Sequence, residues 1–176
     1  NRTIIHELEQ WKERRDRKPL MMLGARQVGK TSVLKKFGAD SFEHCAYFSL
    51  DEEEGVCDIF RKTKNPQQII EQLSYLTSEP ILPHKTLLIL DEIQDCPEAI
   101  SAMKYFCEKT PEYAVACAGS LLGLAFGHQG FSFPVGKVDH MNMYPVTFSE
   151  FLEQRDAGLY QYYMSIDSLE PLPDVF

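Results

Sequence analysis

Gly24-Ala25-Arg26-Gln27-Val28-Gly29-Lys30-Thr31 is the stretch that decides how the rest of this chain is read. It fits the spacing G-x-x-x-x-G-K-[ST] of a phosphate-binding P-loop. Glycines let the backbone turn tightly through φ angles that side chains resist, so successive N–H groups point inward at phosphate oxygens. A helix beginning at the loop adds its free N–H groups and positive dipole end to the same anion site. On this reading Gly24, Ala25, Arg26, Gln27, Val28, Gly29, Lys30, Thr31 and Ser32 form the nucleotide-binding segment. Lys30 is expected to reach the β- and γ-phosphates, and the Thr31 hydroxyl to hold Mg²⁺.

The flanking sequence supplies the context that such a loop needs. Leu20-Met21-Met22-Leu23 is a short apolar run, as expected of a strand covered on both faces. After Lys30, the residues Val33, Leu34 and Phe37 face inward on a helix that Gly38 can end. Upstream, Ile4, Ile5, Leu8 and Trp11 recur at helical spacing, which predicts an amphipathic helix packed on the domain.

Downstream, apolar runs alternate with helical stripes. Cys45 to Leu50 reads as a second buried strand, closed by the solvated acidic loop Asp51-Glu52-Glu53-Glu54-Gly55. Asn65-Pro66 caps a helix striped by Ile69, Ile70, Leu73 and Leu76. Thr86 to Leu90 is a third strand, and a helix starting between Asp95 and Pro97 turns Ile100, Met103 and Cys107 inward. Tyr113 to Ala118 is a fourth strand and ends at Gly119-Ser120. A glycine-rich, phenylalanine-bearing stretch from Leu121 to Gly136 precedes an alternating fifth strand, Val138 to Met143. Thr147-x-x-Glu150 is a capping box opening a helix with Phe148, Phe151 and Leu152; beyond Gly158 the sequence is aromatic and irregular. Strands alternating with helices predict an α/β fold with a parallel sheet, in which ligands sit at the carboxyl ends of the strands.

The polar residues of interest all follow apolar runs directly. Asp91 and Glu92 follow Leu87-Leu88-Ile89-Leu90, the form of a Walker B element. Phosphoryl transfer depends on positioning and charge neutralisation. Asp91 is the expected Mg²⁺ partner, through the ion's water shell, and Glu92 the carboxylate that orients the attacking water. Ser120 stands where a side chain can sense the γ-phosphate, and Gln94 is a weaker candidate for the same site. The predicted catalytic set is therefore Lys30, Glu92 and Ser120, with Thr31 and Asp91 on the metal. No N-K-x-D guanine motif or D-x-x-G switch occurs, which favours ATP over GTP.

Composition narrows the setting. The 176 residues suffice for one domain with a proper core, and 44% hydrophobic with 25% charged residues is ordinary for a soluble globular protein. A net charge of −8 argues against a broad nucleic-acid surface. The local exception is Lys12, Arg14, Arg15, Arg17 and Lys18, read as a solvated helix end, with a phosphate or nucleic-acid contact as the alternative. Five cysteines without a C-x-x-C pair fit buried thiols in a reducing cytoplasm, and the scattered histidines give no zinc spacing. No apolar run is long enough for a membrane span. The chain starts at Asn1 and breaks off in a proline-bearing acidic stretch, as expected of a piece of a longer protein.

Together, the Gly24 to Thr31 loop, Leu90-Asp91-Glu92-Ile93-Gln94 and Ala118-Gly119-Ser120 resemble the prokaryotic AAA-type ATPases that carry an uncharacterised C-terminal domain. Phe131 to Val138 and Tyr144 to Leu152 also resemble that family's pattern. The resemblance implies an ASCE, STAND-like P-loop NTPase with sheet order 5-1-4-3-2 and helices on both faces. It also implies ATP binding with hydrolysis, an ATPase domain over residues 1–152, and the start of a C-terminal helical or lid region over 153–176. Members often have arginine where this chain has Lys137, which keeps the charge without the bidentate fork. An arginine finger is therefore unassigned, with Arg155 a remote candidate. The expected partners are ATP, the C-terminal remainder of the chain and a protein or DNA partner; no oligomeric state follows. The rival readings are a non-hydrolysing nucleotide sensor, a small-molecule kinase, and a DNA-binding regulatory module assisted by ATP.

Overall fold

The structure is a computed structural model that describes residues 3–120, 134–145 and 148–166. Five strands form one sheet: β1 (Leu20–Gly24), β2 (His44–Ser49), β3 (Thr86–Asp91), β4 (Ala114–Ser120) and β5 (Asp139–Met143). Every pairing is parallel, and the order across the sheet is β2-β3-β4-β1-β5. Counted from the β5 edge, that order is 5-1-4-3-2.

The central strands are apolar on both sides, and the period of two divides them between two cores. Met21, Leu23, Leu88, Leu90, Val115 and Cys117 face one core, and Leu20, Met22, Leu87, Ile89, Ala114 and Ala116 the other. On the first face lie α3 (Glu54–Lys62), α4 (Pro66–Ser74) and α5 (Pro97–Lys109), which bury Phe60, Leu73 and Phe106. On the second lie α1 (Thr3–Glu13) and α2 (Lys30–Ser41), which bury Leu8, Trp11, Leu34 and Phe37. Each such side chain taken out of water contributes about 1.5–3 kcal/mol before entropy is counted.

Several local readings change. Glu54-Gly55 belongs to α3 rather than to an acidic loop. Val56, Cys57, Ile59 and Phe60 form a helical stripe that the run of acids before it obscures. The turn itself is tied down, since the Glu53 carboxylate accepts the Ser49 N–H at 3.0 Å. Cys107 is only partly buried, while Cys57, Cys96 and Cys117 are buried, and all five cysteines are free thiols.

The basic stretch is not merely a solvated helix end either. Arg14 pairs with Asp139 at 2.9 Å, and Asp139 also accepts the Lys18 backbone N–H at 3.1 Å. Arg17 donates to the Lys12 carbonyl and lies over the Trp11 ring, so the segment clips α1 to the β5 edge.

The last described elements are α6 (Phe148–Arg155) and α7 (Ala157–Ser165), the latter in place of the irregular stretch expected beyond Gly158. Asp156 supplies the α7 cap by accepting the Leu159 N–H at 2.9 Å. Helix α6 runs across the expected boundary at residues 152 and 153. The glycine-rich residues 121–133, Thr147 of the capping box and residues 167–176 lie outside the described residues.

Candidate functional site

The carboxyl ends of β1, β3 and β4 adjoin one another because these strands are neighbours and parallel. Gly24, the last residue of β1, stands in register with Ser120, the last residue of β4. Gly24 has no room for a side chain, since a Cβ there would run into the Met143 carbonyl of β5. The loop then turns through Ala25, Arg26 and Gln27, all exposed, with Gln27 at φ 63°. Gly29 takes φ 93° and ψ 24° as the residue before α2, a left-handed conformation open to glycine at little cost.

Lys30 opens α2 and is buried, with only 6% of its surface exposed. Its ammonium folds back onto the loop, donating to the Ala25 carbonyl at 2.8 Å and the Gly24 carbonyl at 3.2 Å. An ammonium carries three donors, so the loop holds this cation at its own mouth. Ser32 is exposed one residue beyond Thr31.

Thr31 meets the acidic pair. Its hydroxyl donates to Asp91 Oδ2 at 2.7 Å, joining the first turn of α2 to the end of β3 across 60 residues of sequence. The same oxygen accepts the Tyr47 hydroxyl at 3.1 Å, from the adjacent strand β2. Tyr47 went unnoticed in the sequence because it reads as one aromatic in an apolar strand. The available signal was its position two residues before the end of β2, where the register sets Ser49 beside Asp91. Burial, with the Asp91 charge adding to it, pushes the Tyr47 hydroxyl up to about 12, so it stays a donor. The Lys35 ammonium sits 3.3 Å from the centre of its ring.

Beyond Asp91 the chain reverses sharply. Glu92 adopts φ 49° and ψ 46°, a left-handed conformation uncommon for a residue with a side chain. Its N–H donates to Asp91 Oδ1 at 3.0 Å, and a 3₁₀ turn over Ile93–Asp95 follows. The turn carries Gln94 back beneath Glu92, where its amide donates to Glu92 Oε2 and, at 3.1 Å, to Asp95 Oδ2. Gln94 Oε1 accepts the Ser120 backbone N–H at 3.2 Å. Glu92 and Ser120 are thus connected through Gln94.

The structure brings Thr31 to Asp91, Glu92 to Gln94, and Ser120 to both Gln94 and the start of the P-loop. It leaves two other cations apart. Lys137 precedes β5, at the amino ends of the parallel strands rather than at the carboxyl ends where the loop lies, and pairs with Glu108 at 2.9 Å. Arg155, exposed on α6, lies over the Phe151 ring. Among the described residues no group of three histidine, cysteine or acidic side chains could hold a metal alone. The donors that do converge, a hydroxyl and a carboxylate, are hard oxygens suited to Mg²⁺.

Loop, helix and acidic strand end on a parallel five-stranded sheet define the P-loop class of α/β domain. The AAA domain family matches residues 16–152, and the chain belongs to that family. No curated protein sequence matches the chain. Among solved structures it is similar to a DNA replication initiation factor, with a TM-score of 0.53 and 16% identity over 93% of this chain and 51% of the other. The replication initiator DnaA bound to AMPPCP and single-stranded DNA gives 0.53 and 16%, over 92% and 54%. PCH-2 of C. elegans gives 0.50 and 13%, over 96% and 49%. The chain spans about half the length of these structures, and at such identities the likeness is one of fold. Among the described residues no helix is long and apolar enough to cross a membrane.

Proposed function

We propose that this domain binds ATP with Mg²⁺ and hydrolyses it to ADP and phosphate, driving a conformational switch in attached domains or partners. The observation that carries the reading is the Thr31–Asp91 hydrogen bond at 2.7 Å, which presents a hydroxyl and a carboxylate together at the mouth of the loop. Membership of the AAA domain family and the fold shared with an AMPPCP-bound initiator support it.

Two protein oxygens are few for a metal, which suits Mg²⁺, an ion that keeps waters and takes substrate phosphate oxygens. Thr31 and Asp91 would hold it, and its charge would offset that of the phosphates. The backbone N–H groups of residues 25–31 cradle the phosphate chain, and Lys30 exchanges its two loop carbonyls for phosphate oxygens. Glu92 accepts a hydrogen bond from the attacking water and takes its proton. Ser120, beside Gly24, contacts the γ-phosphate end. Lys137 is held by Glu108, and no charge-stabilising finger is assigned to this chain. Within the basic segment Lys12 to Lys18, Arg14 binds Asp139 at the start of β5 and Arg17 lies over the Trp11 ring, while Arg15 is exposed.

Glu92→Gln tests the reading. It should leave MgATP affinity within about twofold while lowering turnover by about 10²–10⁴-fold, the range for loss of a general base. Calorimetry and phosphate release measure the two. Saturable ATP binding without turnover by the unsubstituted domain would replace hydrolysis with nucleotide sensing.

A further inference from the structure

We propose that Gln94 is a positioning residue that fixes the Glu92 carboxylate against the end of β4, so that the base and the γ-phosphate end of the site form one unit. The inference rests on the hydrolysis reading above and adds a residue that acts through Glu92.

Gln94 is buried, with only 8% of its surface exposed, and three of its hydrogen-bonding positions have partners within the fold. Both amide hydrogens go to carboxylates, Glu92 Oε2 and Asp95 Oδ2. The carbonyl oxygen accepts the Ser120 N–H. These partners set the amide's orientation: turned over, its oxygen would face two carboxylates and its NH₂ would face an N–H. An acceptor-only side chain such as glutamate could satisfy Ser120 but would repel Glu92, and asparagine is one methylene too short to span both.

The surroundings are shaped for this residue. A Cβ at Gly119 would lie 3.0 Å from Gln94 Oε1 and 2.9 Å from Ile93 Cγ2, so glycine there makes the room that Gln94 occupies. The left-handed Glu92 and the 3₁₀ turn after it are what bring the amide back to its own neighbour. Glu92 itself is only partly buried, and among the described residues the Gln94 amide is the side chain that donates to its carboxylate. Removing the amide frees a three-torsion side chain whose placement decides whether the water is aligned.

The experiment compares the unsubstituted domain with Gln94→Met, Gln94→Asn and Gly119→Ala. Three readouts are taken: turnover number, MgATP affinity by calorimetry, and hydrogen exchange of the Ser120 amide in the nucleotide-free protein. Gln94→Met should lower kcat by about 10²-fold with ATP affinity within about twofold, and the Ser120 amide alone in β4 should exchange faster. Gly119→Ala, which presses on the amide without removing a functional group, should give a smaller loss of the same kind. Should the methionine variant fail to fold, the other two carry the same expectation. A kcat within about twofold of the unsubstituted domain overturns the inference, as does a parallel loss of ATP affinity with faster exchange along all of β4. If the unsubstituted domain binds ATP but has no turnover, the hydrolysis reading fails first and this inference falls with it.

Discussion

The carboxyl end of the sheet and the α6–α7 pair are built by opposite means. At the sheet end, Leu90, Asp91, Gln94 and Ser120 are all buried, and the Asp91 carboxylate, the Gln94 amide and the Ser120 N–H each meet a partner within the fold. In α7 no residue is buried, and Phe148, Phe151 and Met164 leave 57%, 48% and 60% of their surfaces in water. The two helices meet through Phe148, edge-on to Tyr163 with ring centres 5.3 Å apart. A site placed on the first kind of structure inherits the rigidity of two cores, whereas the second is held mainly by its own helix contacts.

The comparison is most easily broken from beneath the sheet. Phe60 of α3 is fully buried in the same core as Leu88 and Leu90, the residues leading to Asp91. Phe60→Ala should cost about 3–5 kcal/mol by denaturant unfolding, and a loss under about 1 kcal/mol would mean that this face is not the support described.

Lys30→Ala acts at the loop without touching either core. MgATP binding should weaken by about 10–100-fold, the worth of a hydrogen-bonded charge, with the apo fold retained. Unchanged affinity by calorimetry would sink the nucleotide reading.

Tyr47→Phe removes one of the two hydroxyls on Asp91 Oδ2 and should cost about 1–2 kcal/mol. Its pH dependence has a definite sign. Because burial raises this hydroxyl from 10 to about 12, its contribution is complete below pH 10 and is lost as pH rises toward 12. Unfolding followed across that window should show a shallower alkaline loss in the phenylalanine variant; parallel curves would contradict the assignment. The smallest effect belongs to the far helices, where Tyr163→Ala should cost less than about 1.5 kcal/mol. A larger loss would show α7 to be integral to the fold.

Much of the candidate site was legible because it is written in contiguous residues. The Gly24–Thr31 spacing, the apolar runs ending in Asp91-Glu92 and Gly119-Ser120, and the alternation of strands and helices all depend on neighbours along the chain. What stayed hidden depends on partners far apart or on signals that mask one another. Val56 to Phe60 is a helical stripe behind four consecutive acids, and Ala157–Ser165 is a helix whose surface is too aromatic to show a polar face. The basic stretch Lys12 to Lys18 gives no hint of Asp139, over 120 residues away.

For this protein, then, the amino-acid sequence alone determined the parallel α/β class, the glycine-bearing turn between β1 and α2 and the acidic pair at the end of β3, because local spacing and strand burial follow from backbone geometry. Tertiary structure decided which oxygen of Asp91 receives Thr31 and Tyr47, and that Gln94 joins Glu92 to Ser120. Those contacts exist only because parallel pairing sets β2, β3 and β4 side by side, and no run of residues along the chain encodes which atoms then come within hydrogen-bonding reach.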